Sequence, residues 1–131
     1  MILFIDTSDF NNLTLAIVNG ATVKIHTASV AFNENYKTNL FLEQFLKHQK
    51  VKLESLTKVI VCSGPGSFTG IRVGVALAQA LGFALKIPVL AIPKSKVPKD
   101  IRKLDSVKGT KTLVMHYGQK PNITTAKKAK K

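Results

Sequence analysis

Two stretches of the chain hold the residue types from which chemistry could be built. The first is Gly64-Pro65-Gly66-Ser67-Phe68-Thr69-Gly70-Ile71-Arg72, directly after the apolar run Val59-Ile60-Val61-Cys62. Glycine N–H groups ahead of a helix N-terminus present positive dipole, so Gly64, Gly66, Ser67 and Thr69 could hold a phosphate or another anion. The same residues could instead form a structural elbow, because Pro65 gives no ladder hydrogen bond and the glycines around it tolerate positive φ. The loop is not of Walker A type. Gly66 meets its next glycine, Gly70, four positions on, whereas that pattern has a fifth position and then Lys and Ser/Thr. Arg72 could face a phosphate or a partner's carboxylate, and Phe68 could be an exposed aromatic contact or a plug for the core, with the plug favoured.

The second stretch, Asp6-Thr7-Ser8, lies where a strand leaves the sheet. A carboxylate beside two hydroxyls could hold the metal and phosphates of a nucleotide, or it could close on itself as an Asx-type turn. No glycine falls within Asp6–Phe10, where a phosphate-cradling turn would use one. A small nucleotide-dependent hydrolase or peptidase-type enzyme built on Asp6 and the Gly64–Arg72 loop is the enzymatic alternative.

Catalytic residues are otherwise hard to find. His26, His48 and His116 have no H-x-x-x-H spacing, so no metal site is expected. Ser63 and Ser67 lack a G-x-S-x-G frame. Cys62, the single cysteine, falls in a run that reads as a buried strand, and there it acts as a small hydrophobe.

The elements that must position these residues follow from pattern. Leu3 to Asp6, Leu13 to Val18 and Ala21 to Phe32 read as strands, with Asn19-Gly20 as the hairpin turn between the second and third. From Thr38 to Lys50, Leu42, Phe45 and Leu46 mark one apolar helical face. Val59–Cys62 and Val89–Ile92 are strands, and Ile71 to Leu85 is a helix, capped by Ser67 or Thr69 and stopped before Pro88. The order βββαβαβ predicts an α/β fold: a mixed sheet with an antiparallel opening meander and helical crossovers. In the second helix Gly74, Ala78 and Gly82 form one stripe of small residues, and Ala76, Ala80 and Ala84 form another. Two interior glycines cost about 1 kcal/mol each, which implies close approach of the chain's own sheet or of a second subunit.

Charge divides the chain at Pro93. Up to there it has eight Lys/Arg and five Asp/Glu; from Lys94 onward it has twelve and two. The basic excess therefore reads as a tail with little core to bury; Val107 to Tyr117 could hold a strand (Thr112 to Tyr117), either an edge strand or the remnant of a lobe, and Lys127 to Lys131 reads as disordered. Such a tail could attract RNA phosphates and make the chain an RNA-binding module. No apolar run approaches the ~20 residues of a membrane span. A lone cysteine and a strand-like start without a basic leader fit the cytoplasm.

The run Gly64-Pro65-Gly66-Ser67-Phe68-Thr69-Gly70-Ile71-Arg72-Val73-Gly74, with the opening Ile5-Asp6-Thr7-Ser8 and the later Ile87-Pro88-Val89, resembles the TsaB (YeaZ) family. The likeness covers about residues 1–93, which leaves 94–131 as a vestigial second lobe and basic tail. The resemblance implies a ribonuclease H-like half-domain of the actin-like ATPase superfamily. It also implies a non-catalytic scaffold in threonylcarbamoyladenosine (t6A) modification of tRNA. The expected partners are a TsaD-type catalytic paralogue as heterodimer, a TsaE-type ATPase, and tRNA through the complex, with a homodimer when alone and no membrane. ATP and a metal ion would sit in the partner subunits and none on this chain. The interface implied is the first helix (Leu42, Phe45, Leu46) and the second (Arg72, Gly74, Val75, Ala78, Gly82).

Overall fold

The computed structural model describes residues 1–29 and 37–106, and the backbone of residues 110–111. β1 (Ile2–Asp6), β2 (Asn12–Asn19) and β3 (Thr22–Ser29) form the expected meander. Ile2 pairs with Val18 and Asp6 with Thr14, and the second hairpin turns at Gly20, φ +62°. α1 (Thr38–His48) then crosses to β4 (Lys58–Cys62), which lies parallel to β1 with Val59 beside Leu3. α2 (Phe68–Leu85) crosses to β5 (Val89–Ile92), parallel to β4, and β6 (Thr110–Lys111) adds antiparallel to β5. The sheet order is β3-β2-β1-β4-β5-β6. The expected element order and mixed sheet are therefore present. Of the strand expected within Val107–Tyr117, β6 covers Thr110 and Lys111; Thr112–Tyr117 and the tail Lys127–Lys131 lie outside the described residues, as do residues 30–36.

Alternation along the strands sorts the core into two halves. Leu3, Ile5, Leu15, Ile17, Val59 and Val61 face the helices and pack with Leu42, Phe45 and Leu46 of α1 and Val75 and Ala78 of α2. Ile2, Phe4, Ala16, Val18, Ile60, Cys62 and Ile92 face the other way. Because both faces are covered, β1 and β4 read as unbroken apolar runs rather than alternating ones.

The cover of the second face was not legible from composition. Two 3₁₀ turns, Lys94–Lys96 and Ile101–Ser106, form a strap across it. Leu104 is 0% exposed there, with Val97 and Ile101 packed beside it. The division at Pro93 into a folded lobe and a tail thus needs correction. Residues 94–106 belong to the folded unit, since one fully buried leucine at a three-residue spacing from Ile101 is enough to seat a 3₁₀ turn.

α2 begins at Phe68 rather than Ile71. Ser67 is its N-cap, accepting at Oγ from the Gly70 N–H at 3.0 Å. The helix stops at Lys86, which takes the left-handed conformation at φ 58° ahead of Pro88. By length and composition α2 is apolar enough to cross a membrane, contrary to the expectation of no such run, yet its inner face is committed to the sheet.

Candidate functional site

Parallel β1, β4 and β5 bring the two chemistry-bearing stretches to one edge of the sheet. There the loop after β4 locks onto its neighbours. The Ser63 N–H donates to the Ile92 carbonyl (2.8 Å), the Lys94 N–H to the Gly64 carbonyl (2.7 Å) and the Ser67 N–H to the Ser8 carbonyl (2.7 Å). Gly64 has φ +92° and is joined to Pro65 by a cis peptide. A Cβ on Gly66 would run into the Ser8 carbonyl, and one on Gly70 into the Thr7 carbonyl. These glycines therefore let the β1 turn and the α2 start touch backbone to backbone.

The hydroxyls are spent inside this contact. Thr7 Oγ1 donates to the Gly70 carbonyl at 2.5 Å. Ser8 donates to Asp6 Oδ1 through both its N–H (2.9 Å) and its Oγ (2.6 Å), an Asx-type turn. Ser67 Oγ caps α2, and Thr7, Ser8 and Ser67 are all buried. Asp6, Thr7, Ser8, Gly64, Gly66 and Ser67 are brought together at this edge. The Ser8 and Thr7 carbonyls fill the space beside Gly66 and Gly70, so these contacts build a structural elbow. Thr69 departs from the group and points to solvent on the outer side of α2. Cys62 ends β4 fully buried, with Sγ 3.7 Å from Ser8 Oγ. Burial pushes its thiol above the ordinary value, so it stays protonated and poorly nucleophilic. Among the described residues no three His, Cys, Asp or Glu side chains cluster as metal ligands.

The interface expected on the helices needs the larger correction. Gly74, Ala78 and Gly82 face inward: a Cβ on Gly74 would strike the Thr7 side chain, and one on Gly82 would strike Val89. Val75, Leu42, Phe45 and Leu46 are likewise core residues. Their apolar periodicity came from the chain's own sheet. Of the eight interface candidates only Arg72 is exposed.

The other small-residue stripe is the uncovered one. Ala76, Ala80 and Ala84 are exposed, flanked by Phe83 at 88% and Phe68 at 72% exposure. Only 28% of α2 is buried. A shallow groove of about 680 Å³ follows this face along Arg72, Val73, Ala76, Gln79, Ala80 and Phe83. Phe68 is thus no core plug. As the first residue of α2 it projects outward, and the Arg72 guanidinium lies 5.2 Å from its ring centroid, a cation–π pair. A second groove of about 430 Å³ separates the helices, with Leu42 and Leu46 of α1 across from Leu77 and Leu81 of α2. The exposed rows were visible in the sequence as alanines at four-residue spacing; which stripe faced outward was not.

Comparison with known proteins agrees with the fold. The family model described as TsaD, tRNA N6-adenosine threonylcarbamoyltransferase, matches residues 27–124. The tRNA threonylcarbamoyladenosine biosynthesis protein TsaB of Bacillus subtilis strain 168 is 34% identical over 92 residues, covering 70% of this chain and 40% of that protein. The tRNA N6-adenosine threonylcarbamoyltransferase of Nitrosospira multiformis is 41% identical over 51 residues, 39% of this chain and 15% of that protein. The solved structure of YeaZ from Pseudomonas aeruginosa superposes with a TM-score of 0.67 at 26% identity, covering 73% of this chain and 45% of that one. The chain thus spans less than half the length of these TsaB and YeaZ relatives. The fold is the ribonuclease H-like half-domain of the actin-like ATPase superfamily. With most of its residues matched by that family model, and with TsaB and YeaZ relatives in both sequence and shape, the chain belongs to the TsaB (YeaZ) family.

Proposed function

We propose that the chain is a scaffold subunit in t6A modification of tRNA, pairing as a heterodimer with a TsaD-type catalytic paralogue and supplying surface rather than chemistry. The observation that carries this reading is the uncovered face of α2, a row of alanines beside two exposed phenylalanines with a single charge, Arg72. An exposed apolar stripe of this kind favours a partner, and small side chains allow a second helix to approach closely. Arg72 would meet a carboxylate at the rim. The inter-helix groove beside Leu77 and Leu81 extends the same surface.

The non-catalytic part of the proposal draws on the elbow, where Thr7, Ser8 and Ser67 are already hydrogen-bonded and Cys62 is held as a buried thiol. ATP and the metal ion would then belong to the partners, including a TsaE-type ATPase, with tRNA reached through the cytoplasmic complex. Without a partner, two copies would cover the same face as a homodimer. Light scattering behind gel filtration, with the chain alone and mixed with the organism's TsaD-type protein, tests the proposal. A one-to-one complex supports it. A chain that stays apart from that protein but binds ATP and magnesium contradicts it and favours the enzymatic alternative.

A further inference from the structure

The strap over the second face of the sheet has a chemistry of its own. In its second 3₁₀ turn Ile101 and Leu104, three residues apart, stack on one side and pack against the sheet. The intervening Arg102 and Lys103 are thereby turned outward, and both are exposed, as are Lys94, Lys96 and Lys99. The strap's two acids are already matched. Asp100 takes a bidentate pair from Arg102 (2.9 and 2.8 Å), and Asp105 pairs with Lys58 at 3.0 Å. That leaves Lys96, Lys99 and Lys103 as ammonium groups on a seated backbone, together with Lys94, which lies within electrostatic reach of the Asp9 carboxylate. The Lys94 N–H is tied to Gly64, and the Lys103 N–H to the Asp100 carbonyl at 3.0 Å.

We infer that the strap of residues 94–106 is a docking surface for the phosphate backbone of a nucleic acid, contacted by Lys94, Lys96, Lys99 and Lys103. The choice of tRNA among nucleic acids rests on the function proposed above; the phosphate contact rests on the strap alone. A polyanion fits better than a bilayer, since Val97, Ile101 and Leu104 face the sheet and leave the strap no apolar residue to insert into lipid. The strap has no aromatic residue, so it reads phosphates and does not stack on bases. Its position also suits an assembly. α1 and α2 lie on one face of the sheet and the strap on the other, so a protein on α2 and an RNA on the strap would not compete for space.

The test is anisotropy titration of a labelled unmodified tRNA transcript with the full chain across a salt series. One variant changes Lys94, Lys96, Lys99 and Lys103 to Gln; a second, with the same loss of charge, changes Lys127, Lys128, Lys130 and Lys131 to Gln. Four phosphate contacts predict that the strap variant's log–log salt slope falls by about 3–4, and that these contacts account for about 10²-fold of the native chain's loss between about 50 and about 200 mM salt. The tail variant should keep most of its affinity. Equal losses in the two variants would overturn the inference, because binding would then follow net charge. Tighter binding to anionic vesicles than to tRNA would overturn it as well. Equal binding of a DNA hairpin would uphold the phosphate contact and overturn the choice of tRNA. Melting curves confirm that both variants fold, and light scattering on the same samples reads pairing with the TsaD-type protein. A chain that binds tRNA through the strap but pairs with nothing would sink the proposed function and leave this inference standing.

Discussion

The Thr7 hydroxyl reaches across from the end of β1 to the Gly70 carbonyl in the first turn of α2, 2.5 Å away, and Gly74 one turn on leaves room for little besides the Thr7 side chain. This contact explains why a helix with interior glycines is tolerated: they admit the strand end, and a buried hydrogen bond closes the joint. Gly74→Ala should therefore cost about 1–3 kcal/mol by overpacking. In a Thr7→Ala background, where the first atom struck is gone, the added cost should shrink, so a double-mutant cycle in urea should give a clear coupling energy. Additive losses would mean that Gly74 is demanded by something other than Thr7.

Leu104 tests whether the strap belongs to the core. Fully buried among Ile60, Ile92 and their neighbours, it should cost about 2–5 kcal/mol when cut to alanine. A Leu104→Ala variant that melts with the native chain would return residues 94–106 to the status of a tail.

The left-handed residue that ends α2 is a lysine. Lys86 is exposed at φ 58°, a conformation that costs a side-chain-bearing residue about 1–2 kcal/mol and glycine almost nothing. Lys86→Gly should accordingly raise stability by about 1 kcal/mol, seen as a higher urea midpoint with an unchanged slope. A lower midpoint would contradict the assigned C-cap.

Much of this was legible in the sequence, and the gaps have physical causes. The order of elements along the chain and both helices followed from apolar runs, the Asn19-Gly20 turn and the breakers around Pro65 and Pro88, all of them local signals. The contact between Asp6-Thr7-Ser8 and the glycine loop was not local. Residues far apart in the chain were each readable as ligand-binding or structural, and only the register of β1 on β4 decides that they spend their hydroxyls on one another. The facing of α2 was ambiguous for a related reason. Both of its small-residue stripes repeat every four residues, and a glycine stripe looks the same whether a sheet or a subunit approaches it. The strap escaped notice because lysines dominate its composition while three apolar residues fix its place.

Cys62 offers a pH readout. Its pKa is raised first by burial, so the folded thiol stays neutral where the unfolded one ionises. The sign follows: stability is intact below the ordinary thiol value of 9.0 and declines as pH rises from there toward the folded value. Cys62→Ala should remove that decline at the expense of a small cavity. Under native conditions at neutral pH the thiol should react with a disulfide reagent only as fast as the protein opens. Immediate stoichiometric labelling would contradict its burial.

The central claim is that the outward stripe of α2, and not the inward one, pairs with a TsaD-type protein. Ala80→Arg and Phe83→Asp lie on exposed positions and should leave stability within about 0.5 kcal/mol of native. Light scattering of each variant mixed with that protein is the most direct measurement. The account predicts a one-to-one complex for the native chain and separate species for both variants, with melting curves superimposable on the native one. Native-strength complexes from both folded variants would contradict it, and the partner surface would then have to be sought away from α2.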